Sequence, residues 1–326
     1  MAKTMDYISV TGSGQLVLAQ GERPNCTPNE VLIQVCAFGI NRADTLQRQG
    51  KYPPPKGEST ILGLEVSGTI VAVGNAVSNW QVGDEVCALL AGGGYAQYVN
   101  VDQGLLIPRI QRFSLAECAG LPEVFVTAYQ ALFALGKLEP GNKVLVHAGA
   151  SGVGLAAIQL ATAAKCEVAV TASNDEKLAI CAENGAKHTI NYTTSDFVDE
   201  LKSSNFNPDV IVDFVGGDYL TRNLRILNTD GRIIYLAMLG GRYSEMDMAL
   251  LLGKRATVQG STLRNRSLEY KRKLVSDFWQ RFGSGFDLGE LTVNVYSLIA
   301  VTDIEQAHQR IESNQTHGKL IITWEH

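Results

Sequence analysis

The sequence predicts an α/β protein in which a doubly wound parallel sheet is inserted into a β-rich domain. Three observations support this. Apolar runs alternate with helical patterns in the second half of the chain, β-branched runs dominate the first part, and the last apolar runs are too few to form a core alone. The length of 326 residues also favours two domains over one.

The first part of the chain predicts strands. Runs such as VLIQVCAFGI and VSGTIVAVG are rich in β-branched residues and are interrupted by Gly, Pro and Asn. This pattern is typical of a barrel-like or sandwich domain.

The second part predicts six parallel strands with helices between them. The strands are expected near 143–147, 167–172, 187–191, 209–214, 232–237 and 256–261, and the helices at 153–165, 175–184, 197–203, 219–227 and 246–254. Asn174 or Asp175 can cap the second of these helices, and Gly185 follows its end. Six strands with right-handed crossovers make a complete Rossmann domain.

The end of the chain predicts a long helix over 267–281 and two short strands, 292–300 and 319–324. Two strands cannot form a core, so we expect them to return to the first domain. The predicted division is therefore 1–122 with 264–326 for the β-rich domain, and 123–263 for the Rossmann domain.

Composition excludes several classes of function. The net charge of −5 and the lack of a Lys/Arg block argue against a nucleic-acid or anionic-membrane partner. The basic group Arg264, Arg266, Lys271, Arg272 and Lys273 is interpreted as a solvated helix face. No signal peptide or uncharged apolar run of about 18 residues is present, so a cytoplasmic location is expected. The six cysteines form no CxxC pair and are expected to be mostly buried.

A glycine turn between the first Rossmann strand and its helix predicts a dinucleotide site. The segment HAGASGVG places Gly149, Gly152 and Gly154 where the backbone can turn sharply towards a pyrophosphate. The N–H groups at the start of the following helix, which include that of Val153, can bind its charge. Ser151 replaces the middle glycine of G-x-G-x-x-G, and its hydroxyl is expected to donate to a phosphate oxygen.

The end of the second Rossmann strand favours NADPH over NADH. A site for NADH places Asp or Glu there, but this chain has Thr171-Ala172-Ser173-Asn174. Ser173 can bind the 2′-phosphate, and Lys177 can neutralise it.

The nicotinamide is expected beside the segments that follow the fourth, fifth and sixth Rossmann strands. These segments are 214–216, 237–240 and 261–263. They include Met238, Leu239, Gly240 and Leu263, of which Met238 is expected more often to fill a core than to touch a cofactor.

The chain resembles the medium-chain dehydrogenase/reductases, and within them the zinc-independent quinone oxidoreductases related to zeta-crystallin. The resemblance rests on motifs in the same order along nearly the whole chain. They are Gly63-x-Glu65-x-x-Gly68, Gly83-Asp84-x-Val86, Gly94-Tyr95-Ala96, HAGASGVG and the closing HGKLIIT. The glycine turn is nearer to the p53-inducible branch than to zeta-crystallin itself. This resemblance implies a chaperonin-10-like barrel for the first domain.

The resemblance also bears on metal binding. Zinc members of the superfamily have a cysteine ligand and a His-Glu pair at positions that here read Asn41 and Leu64-Glu65. Leucine offers no lone pair to a metal, so we expect no zinc and no metal site. The acceptor must then take hydride unaided, as electron-poor quinones and activated double bonds can.

Several site residues are implied by the resemblance alone. Asn41, Tyr52 and Thr127 are expected around the nicotinamide and the acceptor, with Thr127 at the head of a helix. Tyr192 matches the family's tyrosine beside the 2′-phosphate. Homodimers are common in the family, and the apolar sixth strand would be an exposed edge in a monomer.

The expected function is NADPH-dependent reduction of a small quinone without a metal ion. Two alternatives stay open. One is reduction of the double bond of a 2-alkenal or an enoyl thioester, which needs a well-placed acid such as Tyr52. The other is binding of NADPH without catalysis.

Overall fold

The computed structural model describes residues 4–324, which form two compact units. One unit joins the chain up to Val124 with the chain from Arg264 onward, and the other is Phe125–Leu263. The expected α/β fold, with a doubly wound parallel sheet inserted into a β-rich first domain, is confirmed.

The first part of the chain supplies seven strands and two short helices. They are β1 (Thr4–Val10), β2 (Leu16–Glu22), β3 (Glu30–Gly39), α1 (Arg42–Arg48), β4 (Glu65–Val73), β5 (Glu85–Leu89), β6 (Tyr98–Asp102), β7 (Leu106–Pro108) and α2 (Leu115–Cys118). Helix α3 (Pro122–Tyr129) follows, and the division between the two units falls inside it.

The second unit alternates strands and helices. They are β8 (Lys143–Val146), α4 (Gly152–Ala163), β9 (Glu167–Ala172), α5 (Asp175–Glu183), β10 (His188–Asn191), α6 (Phe197–Ser203), β11 (Val210–Asp213), α7 (Tyr219–Ile226), β12 (Arg232–Tyr235), α8 (Met248–Gly253) and β13 (Thr257–Gly260). All pairs are parallel, in the order β10-β9-β8-β11-β12-β13. The six predicted strands are therefore confirmed. Their carboxyl ends share one edge of the sheet, where ligands of such sheets bind.

The chain ends with α9 (Leu268–Leu288), β14 (Val295–Ala300), α10 (Ile304–Glu312) and β15 (Lys319–Thr323). The first unit contains the hairpin β1-β2 and a seven-stranded sheet in the order β14-β15-β3-β4-β5-β7, with β6 also paired to β3. The last two strands thus return to the first sheet, as predicted, because β15 pairs antiparallel with β3.

The glycines of the first-unit motif allow close backbone packing. A Cβ on Gly63 would lie 2.7 Å from the Cα of Gly94, and Gly63 has a φ of +104°. A Cβ on Gly68 would lie 2.0 Å from the carbonyl oxygen of Gln34 on the neighbouring strand. Larger residues at these positions would push the strands apart.

The expectation that the five basic residues between 264 and 273 form a solvated helix face is wrong for two of them. Arg264 and Lys271 are each only 5% exposed. Helix α9 is longer than predicted and buries one side, which includes Lys271, Leu274 and Phe278. Arg272 pairs with Asp102, and Lys273 pairs with Asp277.

One helical stretch in the described part of the chain, Leu115–Leu135, is long and apolar enough to cross a membrane by length and composition. The most apolar segment of this stretch is 78% buried inside the protein, which is typical of a core helix. All six cysteines are free thiols, and four of them are buried.

Candidate active site

The turn after β8 bends at an alanine rather than at a glycine. Ala148 has a φ of +50°, whereas Gly149, Gly152 and Gly154 do not have positive φ values. The expectation that these glycines make the sharp turn is therefore wrong. A left-handed conformation costs a residue with a Cβ about 1–2 kcal/mol, so the surrounding contacts must hold Ala148 in place.

The glycines serve close packing instead. A Cβ on Gly154 would lie 2.5 Å from the Gly149 carbonyl oxygen and 2.6 Å from that of Ala148. A Cβ on Gly149 would lie 2.9 Å from the Cβ of Val170. The start of α4 can therefore approach the turn closely, which brings its N–H groups and dipole to the carboxyl edge of the sheet.

Ser151 acts as the N-cap of α4. Its Oγ accepts the Gly154 N–H at 3.1 Å and donates to the Ala148 carbonyl oxygen at 2.8 Å. Donation to a phosphate would require the Ser151 hydroxyl to turn away from the Ala148 carbonyl oxygen, so the expected donation stays a prediction. Gly152 and Val153 form the first turn of the helix, where N–H groups lack partners inside the helix.

The loop between β9 and α5 contains no carboxylate at the strand end. Ser173 is half-buried there, and Asn174 caps α5 by accepting the Lys177 N–H at 2.9 Å. Lys177 lies on the first turn and is partly buried, and this burial lowers the pKa of its ammonium. Tyr192 directly follows β10, and its side chain is exposed. Ser173, Lys177 and Tyr192 thus all lie at the carboxyl ends of β9 and β10.

The loops after β11 and β12 are joined by backbone hydrogen bonds. Leu239 N–H donates to the Phe214 carbonyl at 3.0 Å, and Gly240 N–H donates to that of Val215 at 2.7 Å. Met238 and Leu239 are 61% and 57% exposed, so the expectation that Met238 fills a core is wrong. The backbone pairing holds both side chains out of the unit, at the sheet edge where a nicotinamide is expected.

Leu263 follows the end of β13 and is only 5% exposed. A side-chain contact with a cofactor is therefore disfavoured at this position. Thr127 lies in the interior of α3, and the expectation that it heads the helix is wrong. The helix begins at Pro122 because proline suits the first helical position.

In the first unit, three polar side chains form a buried cluster. Lys319 Nζ lies 2.5 Å from Glu65 Oε1, 2.8 Å from Asn41 Oδ1 and 2.9 Å from the Ile40 carbonyl oxygen. Asn41 Nδ2 donates to Glu65 Oε1 at 3.0 Å, and the N–H of Glu123 donates to Glu65 Oε2 at 2.9 Å. The Lys319 and Glu65 side chains are 4% and 0% exposed.

The hydrogen bonds of the cluster fix the orientation of the Asn41 side-chain amide. Its oxygen accepts from the Lys319 ammonium, and one Nδ2 hydrogen is donated to Glu65. The second Nδ2 hydrogen remains to donate to a ligand, and Asn41 is partly exposed. Gly39 makes room for the carboxylate, since a Cβ there would lie 2.3 Å from Glu65 Oε1.

The positions that hold zinc in related enzymes carry no metal-binding set. Leu64 is buried and apolar, and Lys319 and Asn41 occupy the oxygen Oε1 of Glu65. Among residues 4–324, no group of three or more His, Cys, Asp or Glu side chains could hold a metal ion.

Tyr52 lies in the loop after α1, above Arg264. The guanidinium carbon of Arg264 is 5.5 Å from the Tyr52 ring centroid, and its Nε donates to the Ala91 carbonyl at 2.6 Å. Arg264 Nη2 is buried without a hydrogen-bond partner among the described residues. Burial, with a smaller contribution from the charge of Glu123, raises the pKa of Tyr52, which makes it a weaker acid than a free phenol.

A second buried cluster lies behind Asn41. Asp44 accepts the Asn41 N–H at 2.8 Å and the Tyr95 hydroxyl at 3.2 Å, and the Tyr95 hydroxyl is also 3.0 Å from His308 Nε2. Burial raises the pKa of Asp44 to about 6 and lowers that of His308 to about 4. Both groups therefore favour their uncharged forms more than they would in water.

Sequence reasoning missed Lys319, Arg264 and Asp44. The signal for Lys319 was a lysine at the head of the apolar run LIIT, and for Asp44 it was an acid three residues after a possible N-cap. Arg264 carried no signal, because the sequence does not distinguish it from the other basic residues around it, such as the exposed Lys273.

Two family models match the chain. One, described as "Zinc-binding dehydrogenase", matches residues 152–279, and the other, described as "Alcohol dehydrogenase GroES-like domain", matches residues 27–111.

Relatives match nearly the whole chain. The human "Synaptic vesicle membrane protein VAT-1 homolog" is 31% identical over 90% of this chain and 79% of its own. A "Quinone oxidoreductase" from Lama guanicoe is 30% identical over 97% of this chain and 96% of its own. The crystal structure of CurK enoyl reductase is 27% identical, with a TM-score of 0.86 over 99% of this chain and 100% of that one.

Proposed function

The chain belongs to the medium-chain dehydrogenase/reductase superfamily of oxidoreductases, and from that premise we propose that it transfers hydride from NADPH to a quinone without a metal ion. The observation that carries the proposal is the buried ammonium of Lys319, bonded to both Glu65 and Asn41. The finer assignment to the p53-inducible branch and the cytoplasmic location stay predictions.

The residues of the second unit fit a nicotinamide dinucleotide. The start of α4 offers N–H groups and a positive dipole end to a pyrophosphate. The end of β9 lacks the carboxylate that would bind an unphosphorylated ribose and repel a 2′-phosphate. The Ser173 hydroxyl and the Lys177 ammonium would suit a 2′-phosphate at this strand end, which supports NADPH over NADH.

The Lys319 ammonium supports chemistry without zinc. A cation already lies beside Glu65, the one residue kept from the zinc ligand set of related enzymes. A metal ion at that place would have to displace a hydrogen-bonded ammonium from a buried carboxylate. The cost of leaving either charge unpaired opposes this exchange.

The bound nicotinamide would supply hydride, and the protein would supply position and charge stabilisation. Asn41 would donate its second amide hydrogen to a carbonyl oxygen of the acceptor, where negative charge develops. Lys319 holds the amide in the orientation that makes this donation possible. A phenol-like hydroquinone oxygen has a pKa of about 10, so solvent can protonate it and no strong acid is needed.

NADPH oxidation measured with ortho-quinones, para-quinones and enones, with NADH as the control cofactor, tests this proposal. We expect turnover with quinones, preference for NADPH, and no loss of rate after treatment with chelators. Activity that chelators abolish and zinc restores, or tighter binding of NADH, would overturn the proposal. Binding of NADPH without turnover on any acceptor would favour the non-catalytic alternative.

Reduction of an activated carbon–carbon double bond is the second candidate, and the likeness to an enoyl reductase favours it. This reaction must protonate carbon and therefore needs a placed acid. Tyr52→Phe separates the two candidates. We expect the variant to keep substantial quinone turnover, because burial makes Tyr52 a poor acid. A loss of several orders of magnitude would instead identify Tyr52 as an obligatory proton donor.

We also propose a homodimer formed through β13. This strand is the last in its sheet and pairs only with β12 within the described part of the chain. Val258 on the strand and Met248 and Leu252 on α8 are exposed apolar side chains nearby in sequence. An open strand edge with apolar neighbours favours pairing with a second copy.

A further inference from the structure

A fully buried histidine lies directly before the strained turn. His147 follows β8, and its imidazole is 0% exposed. Its Nδ1 lies 3.0 Å from Thr171 Oγ1 on β9, and its Nε2 lies 2.8 Å from Asn223 Oδ1 on α7. The rings of Phe197 and Tyr219 pack edge-on against it, at 4.9 and 4.8 Å.

The network continues to the loop after β11. Asn223 Nδ2 donates to Asp213 Oδ2 at 2.7 Å. Asp213 Oδ1 accepts the N–H groups of Val215 at 2.5 Å and Gly216 at 3.0 Å. Thr171, Asn223 and Asp213 are each no more than 1% exposed, so the network runs through the interior.

The hydrogen bonds that lead from Asp213 through Asn223 to His147 have one consistent direction. The Asp213 carboxylate can only accept, so the amide nitrogen of Asn223 faces it and the amide oxygen faces His147. His147 must then donate from Nε2, and in a ring with that single proton its Nδ1 accepts the Thr171 hydroxyl. Burial lowers the pKa of His147, against the opposing charge of Asp213, and the charge of Arg222 lowers it further. This burial favours the neutral ring, and a neutral ring in this network carries its proton on Nε2.

The network joins three loops of the proposed cofactor site. It links the turn at Ala148, the end of β9 just before Ser173, and the loop of Val215 and Gly216. The backbone bonds follow the same path, because His147 N–H donates to Val212 and Gly149 N–H donates to Thr171. Ala148 needs such support, since a strained residue persists only where its surroundings fix it.

We infer that His147 is a positioning residue that sets the geometry of the cofactor loops through Thr171, Asn223 and Asp213. The inference rests on the proposed binding of NADPH by this unit. It adds that a buried side chain, which touches no cofactor itself, determines how tightly the cofactor is held.

Binding of NADPH measured by fluorescence tests the inference with matched variants. Thr171→Val removes the hydroxyl at nearly constant shape, and His147→Phe keeps an aromatic ring without either hydrogen bond. We expect each to weaken NADPH binding by about ten- to a hundredfold, because small displacements of positioned groups have effects of this size. Thr171→Ser, which keeps the hydroxyl, should bind NADPH more tightly than Thr171→Val.

His188→Asn is the control. His188 begins β10 and bonds Glu167 at 2.7 Å, at the edge of the sheet opposite to the cofactor loops. This variant removes a histidine hydrogen bond from the same unit, and we expect NADPH binding to stay as in the wild type. Should Thr171→Val and His147→Phe also bind like the wild type, the inference is wrong.

Nitrogen-15 NMR of the histidine rings gives a readout that does not depend on the cofactor. We expect a His147 signal with the proton on Nε2 and a pKa below the ordinary histidine value of 6.5. A proton on Nδ1, or a pKa at or above that value, would overturn the network even if NADPH binds. A wild type that fails to bind NADPH would instead remove the proposed function, and the NMR result would still decide the direction of the network.

Discussion

At the residue scale, the Lys319–Glu65 pair is the most consequential feature of the first unit. Both groups are buried, and the ammonium has three acceptors within 3 Å. A buried ion pair adds little net stability compared with apolar residues, but removal of one partner leaves an unpaired charge in the interior. The stability of the folded chain therefore depends on both partners being present.

Lys319→Met should lower the free energy of unfolding by about 3–5 kcal/mol, because it leaves the Glu65 carboxylate uncompensated. The free energy of unfolding of the double variant Lys319→Met/Glu65→Gln should fall much less, because no unpaired charge remains in the interior. Urea denaturation of the single and double variants measures both values. Lys273→Met is the control, because the exposed pair of Lys273 with Asp277 is worth only about 0.5 kcal/mol. Equal losses in the single and double variants would show that the two charges are not coupled.

The Asp44–Tyr95–His308 cluster combines two opposite pKa shifts. The pKa of Asp44 is raised from 3.8 to about 6. Its contribution to the free energy of unfolding therefore falls as pH rises between these two values, because the unfolded chain releases the proton first. The pKa of His308 is lowered from 6.5 to about 4. Its contribution to the free energy of unfolding therefore increases as pH rises between these two values, because the unfolded chain binds the proton more tightly than the folded one. Each shift corresponds to about 3 kcal/mol, so the two effects nearly cancel.

Removal of the histidine should remove its contribution to the pH dependence and leave that of Asp44. We expect His308→Leu to become less stable relative to the wild type as pH rises from about 4 to about 6.5, by on the order of 3 kcal/mol. Free energies of unfolding measured across this range, with the wild type subtracted, give the difference. A constant difference at all pH values would contradict the shift assigned to His308.

At the element scale, the strand, turn and helix around HAGASGVG could be predicted from the sequence, because apolar periodicity and glycine spacing are local signals. The residue that takes the left-handed conformation could not. Only the packed turn shows that Ala148 takes this conformation and that a Cβ on Gly154 would meet the carbonyl oxygens of Gly149 and Ala148.

Gly154→Ala should disturb this element. Its Cβ would lie 2.5 Å from a carbonyl oxygen, so α4 must move away from the turn, and we expect a loss of about 1–3 kcal/mol together with weaker NADPH binding. Gly253→Ala is the control. Gly253 ends α8, a Cβ there meets nothing within 4 Å, and alanine should stabilise the helix by up to about 1 kcal/mol. Thermal unfolding and NADPH titration measure both effects, and equal behaviour of the two variants would contradict the close-packing argument.

At the scale of the whole molecule, the order of the chain explains how the first-unit site is completed. Strand β15 comes from the end of the chain and pairs with β3 so that Ile321 lies opposite Gly39. This register brings Lys319 to Ile40 and Asn41, nearly 280 residues earlier in the sequence. The insertion of the second unit separates the two halves of this cluster along the chain.

The proposed dimer can be tested on the open edge of the second sheet. Val258→Lys places a charge on β13 and should convert the dimer into a monomer, because charged residues oppose edge pairing. Leu288→Lys is the control, since Leu288 is 71% exposed at the end of α9 and lies far from β13 in sequence. Sedimentation velocity measures the mass of each. A wild type that sediments as a monomer would remove the proposal.

The sequence by itself determined the two kinds of sheet, the glycine turn, the absence of a carboxylate after β9, and the candidate positions Asn41 and Glu65. These follow from periodicity and from residue types at fixed spacing, which are local properties. The tertiary structure alone decided that Lys319 joins Asn41 and Glu65, that Arg264 is buried, and that His147 links three loops. Such contacts join residues far apart in the chain, and their energies depend on burial, which no local pattern contains.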